Sequence, residues 1–234
     1  ILKQTEKMLF EGATFIDIGA YSSRPNANHI SESEELARLI PALEIILKNF
    51  PDSYISVDTF RSNVAKIGIE TGACIINDIS GGNMDSNMFD TVAFLQVPYI
   101  LMHMKGTPQN METNSKYNNV TQEVLSFFAE KTTLLKEKKV NDIILDLGFG
   151  FGKTLEHNYE LLKKMELFKN MNLPILTGIS RKSMLYKLLD TDPSQALNAT
   201  SITNTIALQK GSSILRVHDV KEALEAIIIL QQIS

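Results

Sequence analysis

Short apolar runs alternate with longer amphipathic segments along almost the whole chain. Apolar side chains stand at consecutive positions in these runs, and β-branched residues are frequent, which is typical of parallel strands buried on both faces. The runs lie at 14–18, 54–58, 74–77, 98–103, 142–146, 174–178 and 213–217. The pattern therefore predicts a sheet of seven parallel strands.

The segments between the strands have the periodicity of amphipathic helices. Ser31-x-x-Glu34 is a capping-box pattern, and it precedes an apolar stripe that runs from Leu36 to Leu47 at helical spacing. Pro41 within this stripe predicts a kink or a late start of the helix. The other helices are predicted near 1–12, 61–71, 86–95, 119–138, 156–169, 183–190, 194–210 and 219–232.

Repeated strand-then-helix units predict an α/β fold with a parallel sheet and helices outside it. Seven strands preceded by a helix fit a (β/α)8 TIM barrel that lacks its first β-strand and loop, and a doubly wound open sheet is the alternative. No linker or low-complexity tract interrupts residues 1–234, so we expect a single domain. Because the chain begins at Ile1 within a helical pattern, this domain is expected to be incomplete at its N-terminus.

Nearly every predicted strand is followed by a polar or ionisable residue. In a closed barrel the carboxyl ends of the strands meet at one rim, where barrel active sites lie. A single Asp at a strand end more often makes a turn or caps a helix, and we interpret Asp78, Asp90 and His103 in that structural way. The full set is Asp17, Asp58, Asn77, Asp78, His103, Asp146, Ser180-Arg181-Lys182, Arg216 and His218.

The mixture of residue types indicates the kind of ligand. Asp58, Asp146 and the Asn77 amide suit the edge of a planar heterocycle that carries N–H donors and a carbonyl group. Arg24, Arg216 and His218 suit a phosphate group, which arginine binds in a bidentate manner. The sequence therefore predicts a site for an aminopyrimidine-like ring with a phosphate tail.

A glycine-rich segment, Gly148–Thr154, invites comparison with a nucleotide-binding P-loop. That motif needs glycine at position 147, where this chain has Leu147, so the P-loop interpretation fails. A glycine-rich turn after a strand instead lets the backbone approach a ligand closely. Three further segments carry basic residues next to strand ends, at 17–25, 178–183 and 216–219.

Together with Ser56–Thr59, Ile76–Ile79 and Leu101–Gly106, these four segments resemble the dihydropteroate synthase family of pterin-binding enzymes. They follow the family's order over essentially the whole chain. The resemblance implies a transferase of folate biosynthesis and a target of sulfonamides. It would condense 6-hydroxymethyl-7,8-dihydropterin diphosphate with p-aminobenzoate to give 7,8-dihydropteroate and diphosphate.

The resemblance also assigns roles to particular residues. Asp58, Asn77, Met102, Asp146, Phe151, Lys182 and Arg216 would bind the pterin. Ser23, Arg24, Pro25, Phe151, Lys182 and Ser183 would bind p-aminobenzoate. Arg24, Arg216 and His218 would bind the diphosphate, and Lys182, Asp58, Asp146 and Arg24 would be catalytic. The implied cofactor is Mg2+, for which no protein ligand is expected in this chain, since the family's ligand would lie upstream of Ile1.

Four positions depart from the family pattern. Ala20-Tyr21 stand where Gly-Glu is common, Ser23 stands where Thr is common, and Leu147 stands where Pro is usual.

Composition and charge narrow the set of partners. The net charge of −4 and the pI near 5.6 argue against a nucleic acid or a membrane surface as partner, because such binders usually carry a basic excess. The single cysteine, Cys74, cannot form a disulfide within the chain, which suits the cytoplasm. The resemblance implies small-molecule substrates and a homodimer formed through outer helices near the C-terminus.

Two other functions stay open at this stage. A methyltetrahydrofolate-dependent corrinoid methyltransferase shares the barrel and the pterin edge, but it would not need the basic residues at 180–182 and 216–218. A non-catalytic pterin-binding domain would share the ring site without turnover.

Overall fold

The computed structural model describes residues 1–23, 28–111 and 115–233, and it contains all seven predicted strands. They lie in the order β1 to β7, and every neighbouring pair is parallel. A doubly wound sheet would reverse its strand order part-way, so that alternative is wrong. The strands are β1 (Phe15–Ile18), β2 (Tyr54–Asp58), β3 (Ile75–Asp78), β4 (Tyr99–Met102), β5 (Ile143–Asp146), β6 (Ile175–Thr177) and β7 (Ile214–Leu215).

Helices occupy the connections between the strands. The helix predicted at 156–169 is divided, because α6 ends at Lys163 and a 3-10 helix, Met165–Met171, follows it. The helix predicted at 183–190 is shorter than expected and ends at Tyr186. The α-helices are α1 (Leu2–Phe10), α2 (Glu32–Asn49), α3 (Ser62–Thr71), α4 (Met88–Leu95), α5 (Val120–Glu137), α6 (Leu155–Lys163), α7 (Ser183–Tyr186), α8 (Leu197–Gln209) and α9 (Val220–Gln231).

Helix α2 begins where its capping residue predicts. The Ser31 hydroxyl accepts a hydrogen bond from the Glu34 backbone N–H at 3.2 Å. The late start predicted from Pro41 is wrong, because α2 runs through Pro41 without interruption. Leu39 and Leu43, on either side of the proline, are buried against the outer face of β2, and this packing holds the helix together across the missing hydrogen bond.

The sheet curls until its two outer strands approach each other. Arg216, directly after β7, donates from Nε to Asp17 Oδ2 in β1 at 2.6 Å. Across the described residues β1 and β7 are not paired by backbone hydrogen bonds. A cavity of about 410 Å3 lies between them, lined on one side by α1 and β1 and on the other by β7 and α9. The seven strands therefore form an open α/β barrel.

Both faces of the sheet are apolar, as the continuous apolar runs predicted. Outside, residues such as Tyr99, Leu101 and Leu145 pack under the helices. Inside, Ile75, Ile100 and Leu176 form a smaller cluster. In the part of the chain that the structure describes, none of the helices combines the length and the apolar character that crossing a bilayer requires.

Candidate active site

The two-residue period of the strands builds the site. Side chains two positions apart in a strand point to the same face of the sheet. Four predicted site residues therefore form one layer at the rim, each two positions beyond another side chain on the same face. The pairs are Ser56 with Asp58, Ile75 with Asn77, Ile100 with Met102, and Ile144 with Asp146.

The strand register sets the members of this layer side by side in two pairs, which are offset because Asn77 is opposite Ile100. Asp58 is opposite Asn77 in the β2–β3 pair, and Met102 is opposite Asp146 in the β4–β5 pair. Asn77 is buried and Asp146 is only 6% exposed. The arrangement sets two carboxylates and one amide around one end of an apolar barrel interior.

Arg216 joins the two edges of the open barrel at this layer. Its guanidinium donates to Asp17 Oδ2 at 2.6 Å and to Asp58 Oδ2 at 3.1 Å. Asn77 Nδ2 donates to the same Asp17 oxygen at 3.1 Å. Within the described part of the chain, the second oxygen of Asp17 is buried and has no hydrogen-bond partner. The sequence placed Asp17 at a strand end but gave it no role in the site.

Burial and neighbouring charge change the protonation of Asp58. Burial and, to a smaller extent, the nearby Asp17 carboxylate raise the pKa of Asp58 to about 7, although Arg216 opposes both effects. Near neutral pH this carboxyl group therefore exchanges a proton easily, and a ligand that donates hydrogen bonds to it would favour the ionised form.

Asp146 and Lys182 are positioned by the glycine turn, residues Gly148–Gly152. The Gly148 N–H donates to Asp146 Oδ1 at 2.8 Å, and Lys182 Nζ donates to the Phe149 carbonyl at 2.6 Å. Burial raises the pKa of Asp146, with Lys182 opposing the shift. Burial also lowers the pKa of Lys182 to about 8, with Asp146 opposing that shift. The two groups are thus an opposite-charge pair in a desolvated setting.

Apolar side chains flank these charges. Met102 is 2% exposed and belongs to a cluster with Phe60 and Ile79, and Phe151 packs against that cluster. Lys182 Nζ lies 4.7 Å from the centre of the Phe151 ring. Met102 and Phe151 therefore provide an apolar wall beside the polar layer.

Two basic segments meet on the opposite side of the rim. The Ser180 hydroxyl is 2.9 Å from His218 Nδ1 and accepts from the His218 backbone N–H at 3.2 Å. Arg181 donates to both carboxylate oxygens of Asp219, at 2.8 and 2.9 Å. These contacts tie the segment that carries Lys182 to the segment that carries Arg216. The sequence indicated both segments but not that Arg181 and Asp219 link them.

Comparison with known proteins assigns this rim to a family. The model of the pterin binding enzyme family matches residues 1–218. The chain belongs to the pterin binding enzyme family. A similar protein, the dihydropteroate synthase of Haemophilus influenzae, is 44% identical over 221 residues, which are 94% of this chain and 80% of that protein.

Solved structures of the same family have the same fold. The Yersinia pestis dihydropteroate synthase, in a sulfonamide drug complex, superposes with a TM-score of 0.94 at 38% identity and covers 99% of this chain and 84% of its own. The Thermus thermophilus dihydropteroate synthase, in complex with 4-aminobenzoate, superposes with a TM-score of 0.92 at 34% identity. The match covers 100% of this chain and 89% of that one. The barrel predicted from the strand pattern is thereby confirmed.

The remaining predicted residues of this pterin binding enzyme lie around the same rim or outside the described residues. Ser183 follows Lys182 as the first residue of α7, and Ser23 is partly buried in the segment after β1. Arg24 and Pro25 lie outside the described residues.

Of the three residues interpreted as structural, Asp78 makes the predicted kind of turn. Asp78 accepts hydrogen bonds from the Ser80 N–H, the Gly82 N–H and the Tyr99 hydroxyl, all between 2.7 and 2.8 Å. His103 is buried, and Asp90 pairs with Lys138 on the surface.

Proposed function

We propose that this chain acts as a dihydropteroate synthase, which joins 6-hydroxymethyl-7,8-dihydropterin diphosphate to p-aminobenzoate and releases diphosphate, in folate biosynthesis. The observation that carries the proposal is one rim where Asp58, Asn77, Asp146 and Lys182 lie beside Arg216. A corrinoid methyltransferase would not need the basic residues at 180–182 and 216–218. A non-catalytic pterin-binding domain would need the ring site but not these basic residues beside it.

The ring end of the site fits the pterin. Asp58, Asn77 and Asp146 face an aminopyrimidine edge, whose N–H donors suit carboxylates and whose carbonyl suits the amide. Lys182 lies on the other side of the ring. Met102 and Phe151 contact its apolar faces, and Arg216 stacks over it.

The reaction is a substitution at the methylene carbon of the pterin. The bond from that carbon to the diphosphate oxygen breaks, the bond to the arylamine nitrogen forms, and the amine loses a proton. Positive charge develops on the pterin as diphosphate leaves, and the fixed carboxylates of Asp58 and Asp146 stabilise it. Arg216 and His218 stabilise the departing anion. No nucleophilic side chain is required.

The p-aminobenzoate site belongs to the proposal through the family resemblance. Ser23, Arg24, Pro25, Phe151, Lys182 and Ser183 would form it, and Arg24 would also contact the diphosphate. The contact between Lys182 and the Phe151 ring supports this placement for two of them. The Thermus thermophilus relative in complex with 4-aminobenzoate supports the class of ligand.

Mg2+ is proposed as a companion of the diphosphate. Among the residues that the structure describes, no three His, Cys, Asp or Glu side chains come together as a metal site. The proposal of Mg2+ rests on the family resemblance, and we assign no step of the reaction to the ion.

Assembly and location complete the proposal. Exposed apolar side chains on neighbouring outer helices support a homodimer: Ile202 on α8 is 53% exposed, and Ile229 on α9 is 65% exposed. The single cysteine, Cys74, suits a cytoplasmic enzyme.

Two substitutions test the assignment directly. We expect Lys182→Ala and Asp146→Ala each to lower formation of 7,8-dihydropteroate at least about 100-fold, because each removes a fixed charge at the ring. Lys164→Ala and Asp142→Ala are matched controls, since both side chains lie away from the rim, and these should keep wild-type rates. Circular dichroism checks that all four variants are folded. Wild-type turnover in Lys182→Ala or Asp146→Ala would refute the assignment.

A further inference from the structure

Lys153 follows the glycine turn, and its ammonium group is enclosed by acceptors. Nζ donates to the carbonyl oxygens of Gly148 at 2.9 Å, Phe151 at 3.1 Å and His103 at 3.2 Å. It also lies 3.0 Å from His103 Nδ1. Three protons and four acceptors leave this group no spare donor for a substrate. In a P-loop the corresponding lysine contacts phosphate. Lys153 instead contacts backbone carbonyls, so it resembles the P-loop lysine in sequence only.

The shape of the glycine turn explains why a hydrogen-bond donor is needed there. Gly148, Gly150 and Gly152 all have positive φ, between +61° and +81°, which points carbonyl groups inward. A Cβ on Gly148 would lie 1.9 Å from the His103 carbonyl oxygen, so the turn packs directly on the end of β4. Converging carbonyl dipoles repel one another unless a donor lies between them, and Lys153 supplies that donor.

The opposite side of the same turn contacts the site. Within the turn, the Gly148 N–H holds Asp146, the Phe149 carbonyl holds Lys182, and the Phe151 ring lies against Lys182. Two of the three turn residues that touch the site, Gly148 and Phe151, also present their carbonyls to Lys153. A shift of the turn would therefore move Asp146 and Lys182 together.

A second clamp holds the turn from helix α6. Asn158 Oδ1 accepts from the Gly150 N–H at 2.7 Å, and Asn158 Nδ2 donates to the Thr154 carbonyl at 2.6 Å. This clamp anchors the middle of the turn, whereas Lys153 anchors both ends. Without Lys153 the turn keeps its attachment to α6 and the hydrogen bond from the Phe151 N–H to the Gly148 carbonyl, but it loses the bridge from Lys153 to the end of β4.

We propose that Lys153 is a positioning residue of the pterin site: its ammonium group fixes the glycine turn in the shape that orients Asp146 and Lys182. Lys153 acts through the turn and does not contact substrate. The proposal rests on the proposed function, because it assumes that Asp146 and Lys182 bind the pterin ring.

The test compares Lys153→Met, which keeps the length of the side chain and removes its donors, with Lys164→Met. The control removes Lys164, the residue directly after α6, which pairs with Glu160 on the surface. Calorimetry measures the Kd for a pterin analogue without a diphosphate group, and inhibition of turnover measures binding of inorganic diphosphate. We expect Lys153→Met to raise the pterin Kd at least about tenfold, because small displacements of site groups are costly.

Binding of diphosphate distinguishes a local change at the pterin site from a general loss of structure. Because Arg216 and His218 are held by other segments, we expect the diphosphate inhibition constant of Lys153→Met to stay within about twofold of wild type. Equal losses for both ligands, or an unchanged pterin Kd, would overturn the proposal. Failure of wild type and Lys164→Met to bind the pterin would instead contradict the proposed function.

A second variant provides the test if Lys153→Met does not fold. Lys153→Gln keeps an amide that can donate two of the hydrogen bonds, and it is expected to fold and to show a smaller rise in the pterin Kd than Lys153→Met. If neither variant folds, Lys153 stabilises the whole domain and the positioning role is wrong.

Discussion

At the scale of single residues, the site depends on charges that only the folded chain brings together. Asp17 and Arg216 are 199 positions apart, yet their side chains form the shortest contact across the open edge of the barrel. The sequence placed both at strand ends, and this part could be predicted because strand ends of a barrel share one rim. Their pairing could not be predicted, because it depends on how far the sheet curls.

Asp58 gives this site a specific pH dependence. Its folded pKa of about 7 lies above the ordinary value of 3.8, so the folded chain holds a proton that the unfolded chain has released. The contribution of Asp58 to stability therefore falls as pH rises from the ordinary pKa through about 7. A pterin edge that donates hydrogen bonds prefers the ionised carboxylate, so ligand binding has the opposite trend and strengthens over the same range.

We predict that affinity for a pterin analogue increases about tenfold between about pH 6 and about pH 8, with release of protons at the lower pH. Calorimetry in buffers of different ionisation enthalpy measures both quantities. Lys182, with a pKa of about 8, begins to lose its charge at the upper end, so the comparison needs the Asp58→Asn variant. If the affinity of the Asp58→Asn variant increased by the same factor over this pH range, a group other than Asp58 would be responsible.

At the scale of elements, the ends of the predicted strands carried most of the information. Asp58, Asn77 and Asp146 were predicted at one rim because each follows or ends an apolar run, and the family resemblance added Met102. The role of Lys153 could not be predicted, because its partners are carbonyl groups whose directions follow from positive φ angles in the glycine turn. The amino-acid sequence does not show where backbone carbonyl groups converge.

A buried ion pair near the start of α2 is another feature that the sequence did not reveal. Glu35 is fully buried, accepts from the Thr59 hydroxyl at 2.7 Å and pairs with Arg61. Arg61 also donates to the Ile30 carbonyl at 2.7 Å and lies 5.5 Å from the centre of the Tyr21 ring. Tyr21, which departs from the family pattern, thus packs against a guanidinium group.

We predict that Glu35→Ala lowers the free energy of unfolding by about 3–5 kcal/mol, because it leaves Arg61 buried without its carboxylate. Urea denaturation measures this change. The neighbouring Glu34→Ala is the matched control: Glu34 pairs with Arg38 on the surface, so its loss should cost at most about 1 kcal/mol. Equal effects of the two substitutions would show that burial of the pair contributes nothing.

At the scale of the whole molecule, the order of elements was predictable and some boundaries were not. All seven strands lie where apolar runs are, since a strand buried on both faces has a pattern that few other elements share. Helix boundaries depend on local competition: α2 continues through Pro41 because packing outweighs the proline, and α6 ends at Lys163 although the apolar pattern continues. The pterin binding enzyme family explains why polar rim residues occur at so many strand ends.

The central claim is that the layer at the barrel rim binds a pterin, and calorimetric titration of this chain with a pterin diphosphate analogue tests it most directly. Asp146→Asn is the comparison, because the amide keeps the size of the side chain and removes its charge. The account predicts a single site in the wild-type chain, strengthened by Mg2+, with at least about tenfold weaker binding in Asp146→Asn. Equal affinity of the two proteins would contradict the account, because the ring would then bind without the buried carboxylate.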